Sequence, residues 1–523
     1  MAEQVVNHGT SAAEFKVLES KVTDLEKENA ELRRKLERMN ELLLEAQRAR
    51  FGQSSEKRTY VMEDGTQQLQ MFNEAEKEQD VKAEEPTPET FSVKEHKRNK
   101  KRSQEEIHSE LPVEEVVYEL KEGQLSCAKC SRGVLKLIGK ELVRKEMIII
   151  PAQTKQLHYF SSSYACDCCE KETGNASIFK AETPPPLMKR SMASPSSVAD
   201  VMTKKYVDGL PLYRQEQIWK RNGVQLSRNT LANWVIKCSQ EWLKPIYKRM
   251  RKHLLKEPLI SADETVVQVL KEPDRSATSD SRMWVYANGS QVKRQIRIFE
   301  YQPTRGAEHP KRFLSGFKGL LQTDGYISYD KVEDVTRCGC WAHVRRKWRE
   351  AMPKGATKET SKAAVGFDYC NKLFALEKEL NKIHGGREDR ARVMKPIMNT
   401  YWNWIETINP EPGSKLETAV NYSINQKKNL CEFLNHTEAD ISNNLTENCI
   451  RPFVVGRKNW LFCDTVKGAD SSAIVYSLVE TAKANGINPY SYLIRVLTFL
   501  PILGKTPPND ELDKLMPWLL PNI

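Results

Sequence analysis

Near the start of the chain, Phe15, Val22, Asn29, Leu36 and Leu43 recur every seven residues. Leu18, Leu25, Leu32 and Met39 form a second series, offset by alternating steps of three and four. This spacing predicts a helix over 13–50 whose a and d positions make a coiled-coil seam, with Asn29 at an a position fixing the register. A dimer is the simplest outcome; the alternative is a helix lying against its own chain. The pattern then stops, and between Val61 and Glu95 ten acids face three lysines around Pro86 and Pro88, as expected of a flexible tether. Short apolar runs follow at 135–138, 147–150 and 156–165, each read as a strand. A helical pattern covers Ser197 to Lys237. Further strands are predicted at 258–270, 282–287, 295–301 and 317–325, with Asn288-Gly289 as a turn between the second and third. A strand-like Thr336 to Cys340 leads into another helix. Helices are expected from Lys358 to Asn435 and again from Ser471, with a turn at Asn488-Pro489. Between those two regions a short helix at 442–451 is expected to stop at Pro452, and Phe453-Val-Val reads as a strand.

Composition narrows the classes. The chain has 523 residues, 39% hydrophobic and 29% charged, enough for several folded domains and inconsistent with a wholly disordered or collagen-like protein. Its longest apolar stretch, Tyr490 to Leu503, is too short to span a bilayer and carries Arg495. The acidic, polar start lacks the basic-then-apolar order of a signal peptide, so an intracellular protein with no membrane contact is expected. Lysine and arginine total 81 against 70 acids, a net charge of +11 that favours a polyanionic partner. The tract Lys97-Arg98-Asn99-Lys100-Lys101-Arg102 concentrates five of those charges and suits phosphate contacts, unless it is only a soluble linker end.

Twelve cysteines are too few for a disulfide scaffold, but five fall between Cys127 and Cys169. Cys127-Ala-Lys-Cys130 and Cys166-Asp-Cys-Cys169 make two Cys-x2-Cys knuckles, which place four thiolates around one structural Zn²⁺. Cys168 is the spare thiol, able to replace a neighbour. Reduced cysteines without metal, or a redox pair, are the other readings. Downstream, Pro211 to Trp219 and a helix capped by Ser227 flank Asn222-Gly223-Val224-Gln225. This is either a helix-turn-helix or an ordinary helical hairpin. In the first case Arg228, Asn229, Thr230 and Asn233 lie at the exposed start of the recognition helix.

Two predicted strands carry an acid each, Asp263 and Asp324. Carboxylates brought side by side repel unless a divalent cation lies between them. A helix through Asn443, Asn444, Glu447 and Arg451, followed by Arg457 and Lys458, adds an acid, amides and cations. Such a set suits metal ions beside a phosphodiester, two ions about 3.5–4 Å apart serving the attacking and departing oxygens.

The sequence resembles the transposases of the IS66 insertion-sequence family along almost its whole length. The resemblance rests on Arg50-Phe51-Gly52-Gln-Ser54-Ser55-Glu56-Lys57, the two cysteine pairs, and Lys204-Lys-Tyr206-Val-Asp208-Gly-Leu210-Pro211-Leu212-Tyr213-Arg214-Gln215. It continues through Ala262-Asp263-Glu264-Thr265, Thr323-Asp324-Gly325-Tyr326, Cys340-Trp341-Ala342-His343-Val-Arg345-Arg346-Lys347, Asn443-Asn444-Leu-Thr-Glu447 and Arg457-Lys458-Asn459-Trp460. It implies an α/β fold with an RNase H-like core of the DDE group, interrupted by a helical insertion and preceded by coiled coil, zinc ribbon and helix-turn-helix. The resulting domains are a leucine-zipper arm (13–50), an acidic linker ending in the basic tract (60–105), a zinc-binding ribbon (106–180) and a helix-turn-helix region (190–250). The core's first part (256–357), the insertion (358–436), the core's second part (437–470) and a helical cap (471–523) complete the chain.

The implied activity is metal-dependent cleavage at insertion-sequence ends and 3′-OH strand transfer into target DNA. Asp263, Asp324 and Glu447 match the family's three acids and would hold Mg²⁺ or Mn²⁺. Glu264 is a poor substitute for Asp263, because alternate strand side chains face opposite sides. His343, Arg346, Asn444, Arg451, Arg457 and Lys458 are the expected DNA contacts near the site, with packing the alternative for His343. The family pattern has Arg where this chain has Asn448. Expected partners are terminal inverted repeats, target DNA, a second copy of the chain and small accessory proteins of the same element, in a prokaryotic cytoplasm at the nucleoid. An RNase H-fold nuclease without strand transfer and an inactive zinc-dependent DNA-binding regulator are the competing readings.

Overall fold

The heptad pattern at the start of the chain becomes one uninterrupted helix, α1 (Ala12–Phe51). In the computed structural model, residues 12–51, 60–61, 67–68, 117, 154–166, 177–353, 355–382 and 386–519 are described. The seam side chains Val22, Leu25, Leu32, Leu36 and Met39 are all exposed, so α1 does not bury them against its own chain. Two compact units divide the protein: residues 1–52 with 158–523, and residues 53–157. Within the second unit, the described residues include a two-residue antiparallel pair, Tyr60–Val61 with Gln67–Gln68.

The strand expected from Gln156 starts later. β1 (Ser163–Cys166) pairs antiparallel with β2 (Ser177–Lys180), in a register that begins at Ser163 opposite Lys180. Pairing cannot extend far beyond this, because the chain after β2 runs into Pro184-Pro185-Pro186, which lack N–H donors.

The helical region opens at Ser194, where Ser194 and Ser197 exchange backbone-to-hydroxyl bonds as a capping box and Pro195 occupies the first turn. α2 (Pro195–Tyr206), α3 (Leu212–Arg221) and α4 (Arg228–Cys238) follow. The turn between α3 and α4 contains Gly223 at φ +79°, a conformation that glycine adopts without cost. Ser227 caps α4 by accepting from the Thr230 N–H at 3.2 Å, as the sequence predicts. One π-helical turn (Ser239–Leu243) joins α4 to α5 (Lys244–Leu254). Val198, Val201, Met202, Trp219, Leu231, Trp234 and Val235 make the buried interior of this bundle.

The core is a mixed sheet built on one long strand, β3 (Leu259–Lys271). β4 (Asp280–Asn288) and β5 (Arg297–Gln302) add as an antiparallel meander on one side. After α6 (Glu308–Phe313), β6 (Leu320–Gln322) and β7 (Thr336–Cys338) add in parallel on the other, giving the order β5-β4-β3-β6-β7. α7 (Trp341–Ala351) then leads into the insertion, α8 (Lys362–Lys382), α9 (Arg387–Glu406), α10 (Lys415–Asn425) and α11 (Lys427–Glu432), helical as expected. The insertion has its own apolar interior around Trp341, Trp348, Tyr401 and Trp402, threaded by bonds from the Trp348 indole to Tyr401 and from Tyr401 to Ser423. A buried Arg390–Glu377 pair at 2.8 Å closes it, and Arg390 also donates to three backbone carbonyls.

The chain returns to the core through α12 (Asn444–Trp460), which passes straight through Pro452. The expected stop, and the strand at Phe453-Val-Val, are therefore corrected. Phe453 is fully buried against the rings of Phe299, Tyr476 and Trp460, and this packing outweighs one lost N–H and the proline's clash. β8 (Cys463–Thr465) pairs in parallel with the far half of β3. α13 (Val466–Ala484), α14 (Pro489–Leu503) and α15 (Asn509–Lys514) end the described chain. α13 covers the outer edge of β5: Ser477 accepts from the Phe299 N–H at 2.8 Å and Thr481 from the Arg297 N–H at 3.0 Å.

Candidate active site

Strand register brings the first two acids together. β3 and β6 pair Leu259 with Leu320, Ile260 with Leu321 and Ser261 with Gln322. Two residues past the last pair come Asp263, still within β3, and Asp324, just beyond the end of β6, so the register sets them level. Neighbouring strands lie about 4.8 Å apart, so the two acids leave the sheet at adjacent positions. Asp324 then begins a turn: its carboxylate accepts from the Tyr326 N–H at 3.0 Å, and Arg337 donates to its backbone oxygen at 2.8 Å.

Glu447 arrives from far along the chain on the first turn of α12. The residue that docks this helix is Asn443, buried at its N-cap. Its amide donates to the Ala262 carbonyl at 2.9 Å, beside Asp263, and its oxygen accepts from Thr446 at 2.8 Å. Its N–H also points to the Cys340 sulfur at 3.2 Å, which joins the start of α7 to the start of α12. Asn443 is therefore buried against the sheet, whereas Glu447 one turn on is half-buried and Arg451 a further turn on is exposed. From α7, His343 stands 3.8 Å and Arg346 3.3 Å from the Glu447 carboxylate.

Burial, followed by the charges of Glu264, Asp324 and Glu447, pushes the Asp263 carboxyl up to about 8. All three other acids thus act on one carboxyl. Burial also holds the His343 imidazole below its ordinary value, with Asp324 and Glu447 opposing that shift and Arg346 adding to it. Each of the three acids is occupied locally. Asp263 accepts from the Glu264 N–H, Asp324 from Tyr326, and Glu447 from Arg346. Among the described residues, no three His, Cys, Asp or Glu side chains close on a single ion position. The donor set nevertheless fits a hard divalent cation: it consists of carboxylate oxygens, and the mutual repulsion felt at Asp263 is what such a cation offsets.

Glu264 points away, as strand alternation requires, into a cage of its own. Tyr329 donates to it at 2.8 Å and Arg305 at 2.5 Å, while Arg305 stacks over the Tyr326 ring. Sequence reasoning assigned no role to these residues, or to Tyr422. Tyr422 comes from α10 in the insertion, and its hydroxyl accepts from the Gly325 N–H at 3.0 Å. A Cβ on Gly325 would lie 2.7 Å from the Tyr422 ring, so only glycine fits after Asp324. The Asp-Gly pair was the one available signal.

The other predicted residues divide. Asn444 and Arg451 are exposed on α12, and Lys458 is exposed nearer its end. Arg457 is instead turned onto β3, donating to the Val266 carbonyl. Arg228, Asn229 and Asn233 are exposed at the start of α4, with Thr230 half-buried beside them. Arg98, Lys100, Lys101 and Arg102, and the thiols of Cys127, Cys130, Cys166 and Cys169, lie outside what the structure describes.

Comparison with known proteins covers most of the chain. The family profile described as Transposase IS66 family matches residues 190–471, and the IS66 C-terminal element matches 477–518. The zinc-finger binding domain of transposase IS66 matches 124–170, and the profile described as Transposase C of IS166 homeodomain matches 38–116. Similar curated proteins include three uncharacterized proteins of Sinorhizobium fredii (strain NBRC 101917 / NGR234). y4qI is 29% identical over 66% of this chain and 66% of its own length. y4jD is 27% identical over 75% and 78%, and y4hP 25% identical over 89% and 86%, respectively.

Proposed function

The chain belongs to the transposase IS66 family, and from that membership we propose that it cleaves DNA at insertion-sequence ends and joins the freed 3′-OH to target DNA. The observation that carries this reading is the level placement of Asp263 and Asp324 beyond the end of β6, with the charge of Glu447 acting on the same carboxyl. The strand order β5-β4-β3-β6-β7, antiparallel on one side of β3 and parallel on the other, supports an RNase H-like core.

Asp263, Asp324 and Glu447 would hold Mg²⁺ or Mn²⁺. Such a cation supplies charge neutralisation at the phosphodiester and makes water or a 3′-OH a better nucleophile. The chain's own groups do the rest. Asn443 fixes the Glu447 helix against the strand of Asp263, while Arg337 and Tyr422 fix the Asp324 turn. Arg346, beside Glu447, is placed to meet a phosphate oxygen, and His343 orients the same carboxylate. No side chain acts as nucleophile: water opens the end, and the released 3′-OH attacks the target strand in line. Outside the core, Cys127, Cys130, Cys166 and Cys169 would hold a structural Zn²⁺. The start of α4 and the basic tract would grip the DNA ends, and α1 would pair two chains so that two ends are held together.

The test is Mg²⁺- or Mn²⁺-dependent nicking and joining on DNA carrying the terminal repeats that flank the gene. Wild type should release a 3′-OH and form joined product, and Asp263→Ala should lose both. Nicking without joining would favour the nuclease reading, and full activity in Asp263→Ala would remove the site assignment.

A further inference from the structure

A conspicuous sequence block, Lys204 to Gln215, has no part in the chemistry above. In the structure its centre, Tyr206 to Gly209, forms one wall of a cleft of about 510 Å³. The opposite wall is the outer stripe of α12, from Asn448 beside Glu447 through Arg451 and Val455 to Asn459. That stripe is about 16 Å long, the reach of a few nucleotides of an extended strand. The walls are tied together where Asn459 donates to the Gly209 carbonyl at 3.1 Å, with Gly209 at φ +69°. At the end of α12 the chain makes a strained turn. Leu461 has φ 63° and ψ −55°, and the Phe462 N–H returns to the Trp460 carbonyl at 2.8 Å, a γ-turn of the positive-φ kind. The turn leaves Leu461 and Phe462 exposed. Strain of this kind persists only where its surroundings impose it, and it concentrates at functional positions.

We propose that this cleft receives an unpaired nucleobase from the DNA end, with Leu461 and Phe462 as the apolar wedge that separates it from its neighbour. The inference rests on the DNA-cleavage reading. The lining chemistry selects the occupant. A phosphate site would not include the Asp208 carboxylate, whereas a base edge offers amino groups to Asp208 and both donors and acceptors to the amides of Asn448 and Asn459. Arg451 supplies one cation, and Val455 and Pro452 supply an apolar wall for the ring. Leucine and phenylalanine are side chains that open base steps. A base displaced beside Glu447 leaves its own backbone accessible to the carboxylates.

The experiment uses the full-length protein and terminal-repeat duplexes carrying 2-aminopurine at successive positions around the cleavage point. Wild type should brighten at one or two adjacent positions on binding, because the probe loses its stacking partners. Val455→Trp fills the cleft from an exposed position and should abolish the brightening. It should also weaken binding of short single-stranded DNA by about tenfold, the worth of one seated base. Cross-linking through 5-iodouracil at the bright position should label peptides containing Tyr206–Gly209 or Asn448–Asn459. Binding and nicking with no bright position, unchanged brightening in Val455→Trp, or cross-links only elsewhere would overturn this proposal alone. Failure to bind DNA at all would overturn it together with the cleavage reading.

Discussion

Gly325 shows how one missing side chain positions a carboxylate. Its restriction is steric: no positive φ is involved, only the Tyr422 ring where a Cβ would stand. Gly325→Ala should therefore cost about 1–3 kcal/mol in thermal or urea unfolding and slow nicking, as expected of overpacking. In a Tyr422→Ala background, where that ring is absent, the same Gly325→Ala change should cost much less. A different residue sets a pH dependence away from the site. Glu300 on β5 is pushed up to about 7 by burial, with Asp470 adding and Gln302, Arg312 and Arg251 opposing. An unfolded glutamate releases its proton near pH 4.3, so between about pH 4 and 7 the folded state keeps a proton that the unfolded state has lost. Stability falls as pH rises through that window. Glu300→Gln should match wild type in urea midpoint at pH 4 and exceed it at pH 8.

At the scale of elements, the decisive joint is the one between α12 and β3. Asn443→Ala removes a buried donor to Ala262 and a buried acceptor from Thr446, and leaves their polar atoms unmet. A loss of about 1–3 kcal/mol is expected, with nicking reduced while duplex binding persists, measurable by unfolding and by gel shift. How much of this was legible depends on range. β3, β4 and β5 are apolar runs with a turn signal between the last two, and an Asp-Gly pair follows just after β6, so sequence alone finds them. The Asn443 contact joins residues 181 apart and the Tyr422 contact residues 97 apart, and no local pattern encodes either. Pro452 misleads for the same reason: its local rule is real, but the burial of Phe453 in the core overrides it.

For the whole molecule, α1 matters most. A 40-residue helix leaves Val22, Leu25, Leu32, Leu36 and Met39 exposed in the single chain, and in the function proposed above a second copy covers that seam. Analytical ultracentrifugation should find the full chain as a dimer. Leu25→Lys with Leu32→Lys should dissociate it, leaving single-end binding intact and abolishing paired-end products.

The insertion also sets a timetable. Asp263 and Asp324 leave the ribosome on one continuous stretch, whereas Glu447 follows only after the whole of α8 to α11. At about 5–20 residues per second, that interval is on the order of ten seconds. Throughout it the nascent chain has two of its three acids and lacks the helix that brings the third. Because Tyr422 and Asn443 both lie late in the chain, a product released early also lacks the groups that fix the site. Under the function proposed above, a chain ended between α4 and α12 would keep the start of α4 and lack Glu447, and so would bind DNA ends without cutting them.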